Sequence, residues 1–287
     1  MPTPTPHQLI DRRAQMARLT DQAVSVFDRE LALVVRHLER QLRGLVASVA
    51  EGSRTAIIKA ARASRLRNEL RNVLTESGFD ALLDHATDLP LDRLARAALR
   101  TEVGQDVAAF VVSLQPRIAA LKALTLSDLL GQGDQVAHAL WRATVHGVFS
   151  ARPVDAILAD LAGLIEDTVP HLRTLYDTSV SIYGRQVEQL QAGDDPETLF
   201  VYLGPVDDII RPFCAQWVGK VLTRDAIGAL DNGQLPNVML TGGGYNCRHG
   251  FNEISRFSEL APLAGTDDRM PEIARALQDV DVKAKAA

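Results

Sequence analysis

Residues 193–205 read GDDPETLFVYLGP, and the character of the chain changes across them. Gly193, Asp194, Asp195 and Pro196 are turn and linker residues. Leu199 to Leu203 is an apolar and aromatic run closed by Gly204-Pro205, which predicts a short strand. Before this point the apolar spacing is helical; after it, short mixed elements follow. The expected fold class is α+β: predominantly long α-helices with a small C-terminal α+β module. The expected division is a helical platform over 1–193, the module over 194–257, and a C-terminal tail with one short helix over 258–287.

Upstream, Val24, Phe27, Leu31, Val34 and Leu38 step by three and four, an a/d seam. Leu42, Leu45 and Val49 continue it after a stutter. No Pro or Gly interrupts 7–43, so one long helix is expected there, with Gly52-Ser53 as stop and new start. A second helix over 53–76 ends at Gly78, and a third begins after Pro90. Helices over 105–123 and 134–149 are separated by Gly131 and Gly133. A long one over 153–192 is kinked at Pro170. These stripes predict an ordinary helical core, or self-association through the seam.

Composition excludes several classes. The chain has 287 residues, 46% apolar and 23% charged, with a net charge of −5. That disfavours disorder and a wholly basic nucleic-acid binder. Two cysteines, Cys214 and Cys247, cannot frame a disulfide scaffold or fill a four-cysteine zinc site. No run is apolar enough for a membrane span, so no membrane partner is expected. The opening MPTPTPHQLIDRR lacks the apolar stretch of a secretory signal. Residues 1–100 carry 16 Lys/Arg against 12 Asp/Glu, while the rest is acidic. The densest basic stretch, Arg54, Lys59, Arg62, Arg65, Arg67 and Arg71, reads as a solvated helix face or as a contact for DNA or an acidic partner.

The module holds the uncommon residues. They are Gly204-Pro205-x-Asp207, Arg211-Pro212-x-Cys214, Gly219-Lys220-Val221 and Gly243-Gly244-Tyr245-Asn246-Cys247-Arg248-His249. Pro212 opens a short helix that Gly219 ends, and Thr223 caps another over 224–230. Lys220 to Leu222 and Cys247 to Ile254 are further strands. Gly242 to Gly244 form a loop needing positive φ or close backbone approach. Asp207 can pair with Arg211 one helical turn on. It can instead meet Arg248 in an arginine–carboxylate fork that clasps the two ends of the module.

Cys247 and His249, two apart on a strand, point to one side, where Cys214 can approach them. Three soft ligands suit zinc, with Asp207 or Asp208 as a fourth, but the spacing matches no standard finger or ribbon. A Cys214–Cys247 disulfide and a cysteine–histidine nucleophile are the other options. The expectation is a reduced, buried pair packing a small core, with no resident metal or cofactor. Tyr202, Trp217 and Tyr245 among Arg211, Lys220, Arg224 and Arg248 read as packing before they read as a single-stranded nucleic-acid platform.

Taken in order, the series resembles the C-terminal motif of the phage head morphogenesis family, the Mu F-like minor head proteins, over residues 200–254. The helical front has no part in the resemblance. The family's Thr before Arg-Pro is Ile210 here, so the short helix is capped by Asp207 or Asp208, or by nothing. The resemblance implies a structural, assembly protein of a tailed-phage or phage-like head, acting in head morphogenesis and not as an enzyme. It implies association with the portal and/or major capsid protein, contact with packaged DNA, and a place in the virion head or portal region after assembly in the host cytoplasm. The other function classes are a metal- or thiol-dependent enzyme centred on Cys214, Cys247 and His249, and a nucleic-acid-binding module using the basic helix 54–71.

Overall fold

The computed structural model describes residues 4–51, 56–99, 105–150, 152–192 and 197–286, with the backbone alone for 49–51, 56–64, 105–111 and 279–286. Five long helices come first: α1 Pro6–Glu51, α2 Ala56–Glu76, α3 Phe79–Ala98, α4 Gln105–Phe149 and α5 Val154–Ala192. Then follow β1 Leu199–Leu203, α6 Pro212–Trp217, β2 Val221–Thr223, α7 Arg224–Gly228, α8 Val238–Thr241, β3 Gly250–Ile254 and α9 Pro271–Ala286. The fold is α+β and mostly helical. No helix among the described residues is long and apolar enough to cross a membrane.

The start of α1 is a capping box: Thr5 N–H donates to Gln8 Oε1 (2.7 Å), and Gln8 N–H donates to Thr5 Oγ1 (3.3 Å). Pro6 takes the first helical position, where no N–H is needed. Gly78 ends α2 with φ +90.

The chain divides into two compact units, to both of which α1, α3, α4 and α5 contribute. One comprises 23–89 and 123–176, and its described residues form helices joined by short turns. Its core includes the α1 seam of Val24, Phe27, Leu31, Val34, Leu38 and Leu42, all buried. Val46 is buried and Leu45 only partly so, which means the seam takes a further step of four where the sequence predicts Leu45; Val49 lies outside the residues with described side chains. Phe27 stacks on Tyr176 of α5 with ring centroids 4.2 Å apart. The seam is therefore filled from within its own chain, and self-association has to use another surface.

Two helix breaks expected from sequence do not occur. α3 runs through Pro90, and the Ala86 carbonyl that Pro90 leaves without its backbone donor accepts the Tyr176 hydroxyl. α4 runs through Gly131 and Gly133. A Cβ at Gly133 would lie 2.8 Å from the Phe79 ring, so this glycine permits close helix packing and does not end a helix. The kink anticipated at Pro170 falls within a continuous α5. The linker expected at 193–196 lies outside the described residues.

The other unit comprises 1–22, 90–122 and 177–287. Its three-stranded antiparallel sheet has the order β2-β1-β3. Phe200 faces Leu222 and Glu253, and Val201 faces Val221 and Asn252. This grouping differs from the 1–193, 194–257 and 258–287 division. The module shares its unit with helix segments from the front and with 258–287. Met270 and Ile273 are buried in the sheet's core cluster. The Arg269 guanidinium donates to the carbonyls of Ala215, Val218 and Gln216 at 2.8–2.9 Å, satisfying the end of α6.

Leu31→Asp and Leu38→Asp should each destabilise the helical unit by about 3 kcal/mol or more, since each buries a carboxylate where a leucine was only 2–3% exposed. Urea unfolding followed by the signal of Trp141 measures this; unchanged midpoints for both would show the seam to be idle.

Candidate functional site

Of the module's motif residues, Asp207, Arg211 and Cys214 meet the loop between α8 and β3, which itself carries Asn246, Cys247, Arg248 and His249. That loop bends through left-handed positions: φ is +57 at Gly242, +96 at Gly244 and +52 at Asn246. Gly243 serves closeness, because a Cβ there would lie 2.5 Å from Cys214 Sγ. Asn246, whose side chain tolerates the left-handed region, is held by Thr178 of α5. The Thr178 hydroxyl accepts from Asn246 N–H (3.1 Å) and donates to Asn246 Oδ1 (3.4 Å).

Cys214 from α6 and Cys247 and His249 from the loop are all but fully buried, and one ligand atom from each lies within 4.8 Å of the others. The two Sγ atoms are 3.7 Å apart, and both cysteines are free. Tyr202 Oη from β1 lies 3.5 Å from Cys214 Sγ and 3.6 Å from Cys247 Sγ. Gly243 N–H donates to Cys247 Sγ at 3.0 Å. The His249 ring stacks on Tyr202 (5.6 Å, 24°), and its Nε2 has no hydrogen-bond partner among the described residues. A Cβ at Gly204 would collide with this ring.

Cys247 and His249 are thus brought together with Cys214, but not by strand alternation, because β3 begins only at Gly250. Cys214 keeps its proton: donation to Cys247 and burial both push it up. Cys247 is pulled down by the Cys214 hydrogen bond, against burial, with His249 and Arg185 adding to the effect. Burial, more than the two thiols, pushes the Tyr202 hydroxyl well above its ordinary value.

The loop is held from α5 by Arg185, which is 3% exposed. Its Nε donates to His249 O (2.9 Å), its Nη1 to Leu240 O (2.8 Å) and its Nη2 to Cys247 O. A second buried arginine, Arg13 of α1, donates through Nη2 to Glu188 Oε2 (2.7 Å) and Asn252 Oδ1 (3.1 Å). Gly250 leaves room for it, since a Cβ there would lie 2.7 Å from Arg13 Nη1. Sequence reasoning missed Arg13, Arg185, Glu188 and Asn252. Arg185 and Glu188 follow the buried Gly184 and Val187 by one residue, at the border of an apolar stripe where solvent is the natural assignment.

Asp207 meets Arg248 and not Arg211, in a fork of 2.8 and 2.9 Å. Asp207 is therefore committed and is no fourth metal ligand. Burial would raise its carboxyl, but the hydrogen bond and charge of Arg248 outweigh burial and hold it below the usual range. Arg211 donates to Gly243 O (3.0 Å) and is the N-cap residue of α6 without a side-chain cap, so nothing replaces the missing threonine. Pro212 occupies the first turn of α6. Gly219, at φ +83, donates to Tyr202 O. Lys220 pairs with Asp267 (2.9 Å) over the Trp217 ring, away from the cysteines.

Of the basic stretch, Arg54, Lys59 and Arg62 lie outside the residues with described side chains. Arg65 and Arg67 are exposed, and Arg71 is paired with Asp134 (3.0 Å) and Asp80 (3.5 Å). Comparison with protein-family models, with curated proteins and with solved structures finds no match to this chain.

Arg185→Met leaves three carbonyls without their donor and should cost at least about 3 kcal/mol. Urea unfolding read from Trp217 in a Trp141→Phe background tests it; a shift below about 1 kcal/mol would mean that water replaces the guanidinium. Arg248→Ala, breaking a half-open fork, should cost only about 1 kcal/mol. The Asp207 carboxyl is lowered on folding, so its contribution is complete above the unfolded value of about 4 and disappears as pH falls through the lowered folded value. The stability difference between the wild type and Asp207→Asn should therefore be present at neutral pH and vanish in acid.

Proposed function

We propose that this chain is a structural, assembly protein of a tailed-phage or phage-like head: a minor head protein acting in head morphogenesis through binding, without turnover. One observation carries the reading. The uncommon residues that resemble the Mu F-like motif are spent on holding one another in place. Asp207 grips Arg248, Arg211 holds the Gly243 carbonyl, Cys214 meets Cys247, and Gly219 bonds to Tyr202. A motif used in this way preserves a shape that a partner recognises.

An enzyme centred on Cys214, Cys247 and His249 is the weaker reading. These residues are 1–3% exposed, so a substrate would reach them only if the loop opened. The nucleic-acid reading is weakened by the ion pairs that engage Arg71, while exposed Arg65 and Arg67 remain compatible with a DNA contact. The portal and/or the major capsid protein are the proposed partners. The virion head or portal region, reached from the host cytoplasm during assembly, is the proposed location.

The test is complementation. A chain carrying Arg185→Met should fail to restore infectious titre to a deletion of this gene, and the wild-type chain should be found by mass spectrometry in purified heads. Normal titre and head composition after deletion would overturn the proposal.

A further inference from the structure

We infer that Cys214, Cys247 and His249 form a zinc site with Tyr202 Oη facing the fourth position, a structural centre that locks the loop onto β1 and α6. The three edges among the two sulfurs and the Tyr202 oxygen are those of a tetrahedron. Zinc–sulfur bonds of about 2.3 Å place two sulfurs about 3.8 Å apart, and zinc–oxygen bonds of about 2.0 Å place an oxygen about 3.5 Å from each sulfur. The observed edges are 3.7 Å between the sulfurs, and 3.5 and 3.6 Å from Tyr202 Oη to each. The ligand atom of His249 lies within 4.8 Å of both sulfurs, near enough to be drawn to the edge of about 3.6 Å that a shared zinc sets.

Three further features fit a metal. Two thiolates neutralise a divalent zinc while the imidazole and the Tyr202 hydroxyl stay neutral, and a neutral centre is what a site this deeply buried tolerates. Gly243 N–H points at Cys247 Sγ from 3.0 Å, a bond that is strengthened when the sulfur is a thiolate. The buried His249 ring has a nitrogen that no described protein group uses. Sulfur with imidazole in tetrahedral array selects zinc over magnesium or calcium. Because the ligands come from α6 and from the loop 33 residues on, binding closes a long stretch of chain. Each thiol that ligates releases its proton to solvent as the zinc–sulfur bond forms. The site stands independently of the head-assembly proposal, since it concerns how the module is held and not what it binds.

The experiment uses the reduced full-length chain. After chelation, zinc alone is titrated against a chromophoric competitor, and cobalt(II) is added to a second sample. The expected result is about one zinc per chain, a raised unfolding midpoint, and a thiolate-to-cobalt charge-transfer band with tetrahedral visible absorption. Cys247→Ser and His249→Ala should each weaken zinc binding by about a hundredfold or more. Far-UV circular dichroism reports whether these variants keep their helices; where one does not, the wild-type cobalt spectrum decides alone. Zinc uptake by the folded wild type no greater than by the Cys214→Ser/Cys247→Ser double variant would overturn the inference. A cobalt spectrum without the thiolate band would do the same, as would thiols that react with a disulfide reagent equally fast with and without zinc.

Discussion

The module depends on the guanidinium of Arg185. It lies buried against a loop whose backbone turns through left-handed positions and so cannot pair its own carbonyls in a helix or sheet. The carbonyls of Leu240, Cys247 and His249 each receive one of its N–H groups. A buried carbonyl without a donor is expensive, and three together would favour an open, hydrated loop. With the guanidinium in place these carbonyls are paired, and Cys247 and His249 are presented to Cys214 and Tyr202 in one arrangement.

The same logic recurs around the sheet. Arg13 joins α1, α5 and β3 through Glu188 and Asn252, and Arg269 closes the carbonyl end of α6. A sheet of three short strands has little core of its own. It is held by arginines from α1, from α5 and from the segment before α9, which donate to side-chain and backbone oxygens around it. This is why the segment after residue 257 belongs with the sheet, and why residues 1–22 share a compact unit with the module. For a protein proposed to act by binding, the consequence is rigidity: the surface of the module is held by contacts that reach well outside it.

The front of the chain bears on function differently. Its most regular sequence feature, the α1 seam, is consumed in the helical unit's own core. The proposed contact with a capsid component or a second copy would then use other surfaces; among the described residues, apolar side chains such as Ile209 and Phe257 stand exposed.

Local signals determined a good deal. The strand at 199–203, the short helix opened by Pro212, the Gly219 turn and the Thr223 cap each follow from residues within a few positions of one another, because strand, cap and turn preferences act at that range. The pairing of Asp207 with Arg248, and the approach of Cys214 to Cys247 and His249, were legible as options but not as outcomes. Deciding between Arg211 and Arg248 as the aspartate's partner needs the path of the chain. Tertiary structure alone decided the rest. Gly133 and Pro90 look like breaks until Phe79 and Tyr176 are packed beside their helices. Arg185 and Arg13 look like surface charges until the loop and strand they serve fold over them. A charged side chain's burial is set by whether distant carbonyls and carboxylates arrive to pair with it, and no spacing along the chain encodes that arrival.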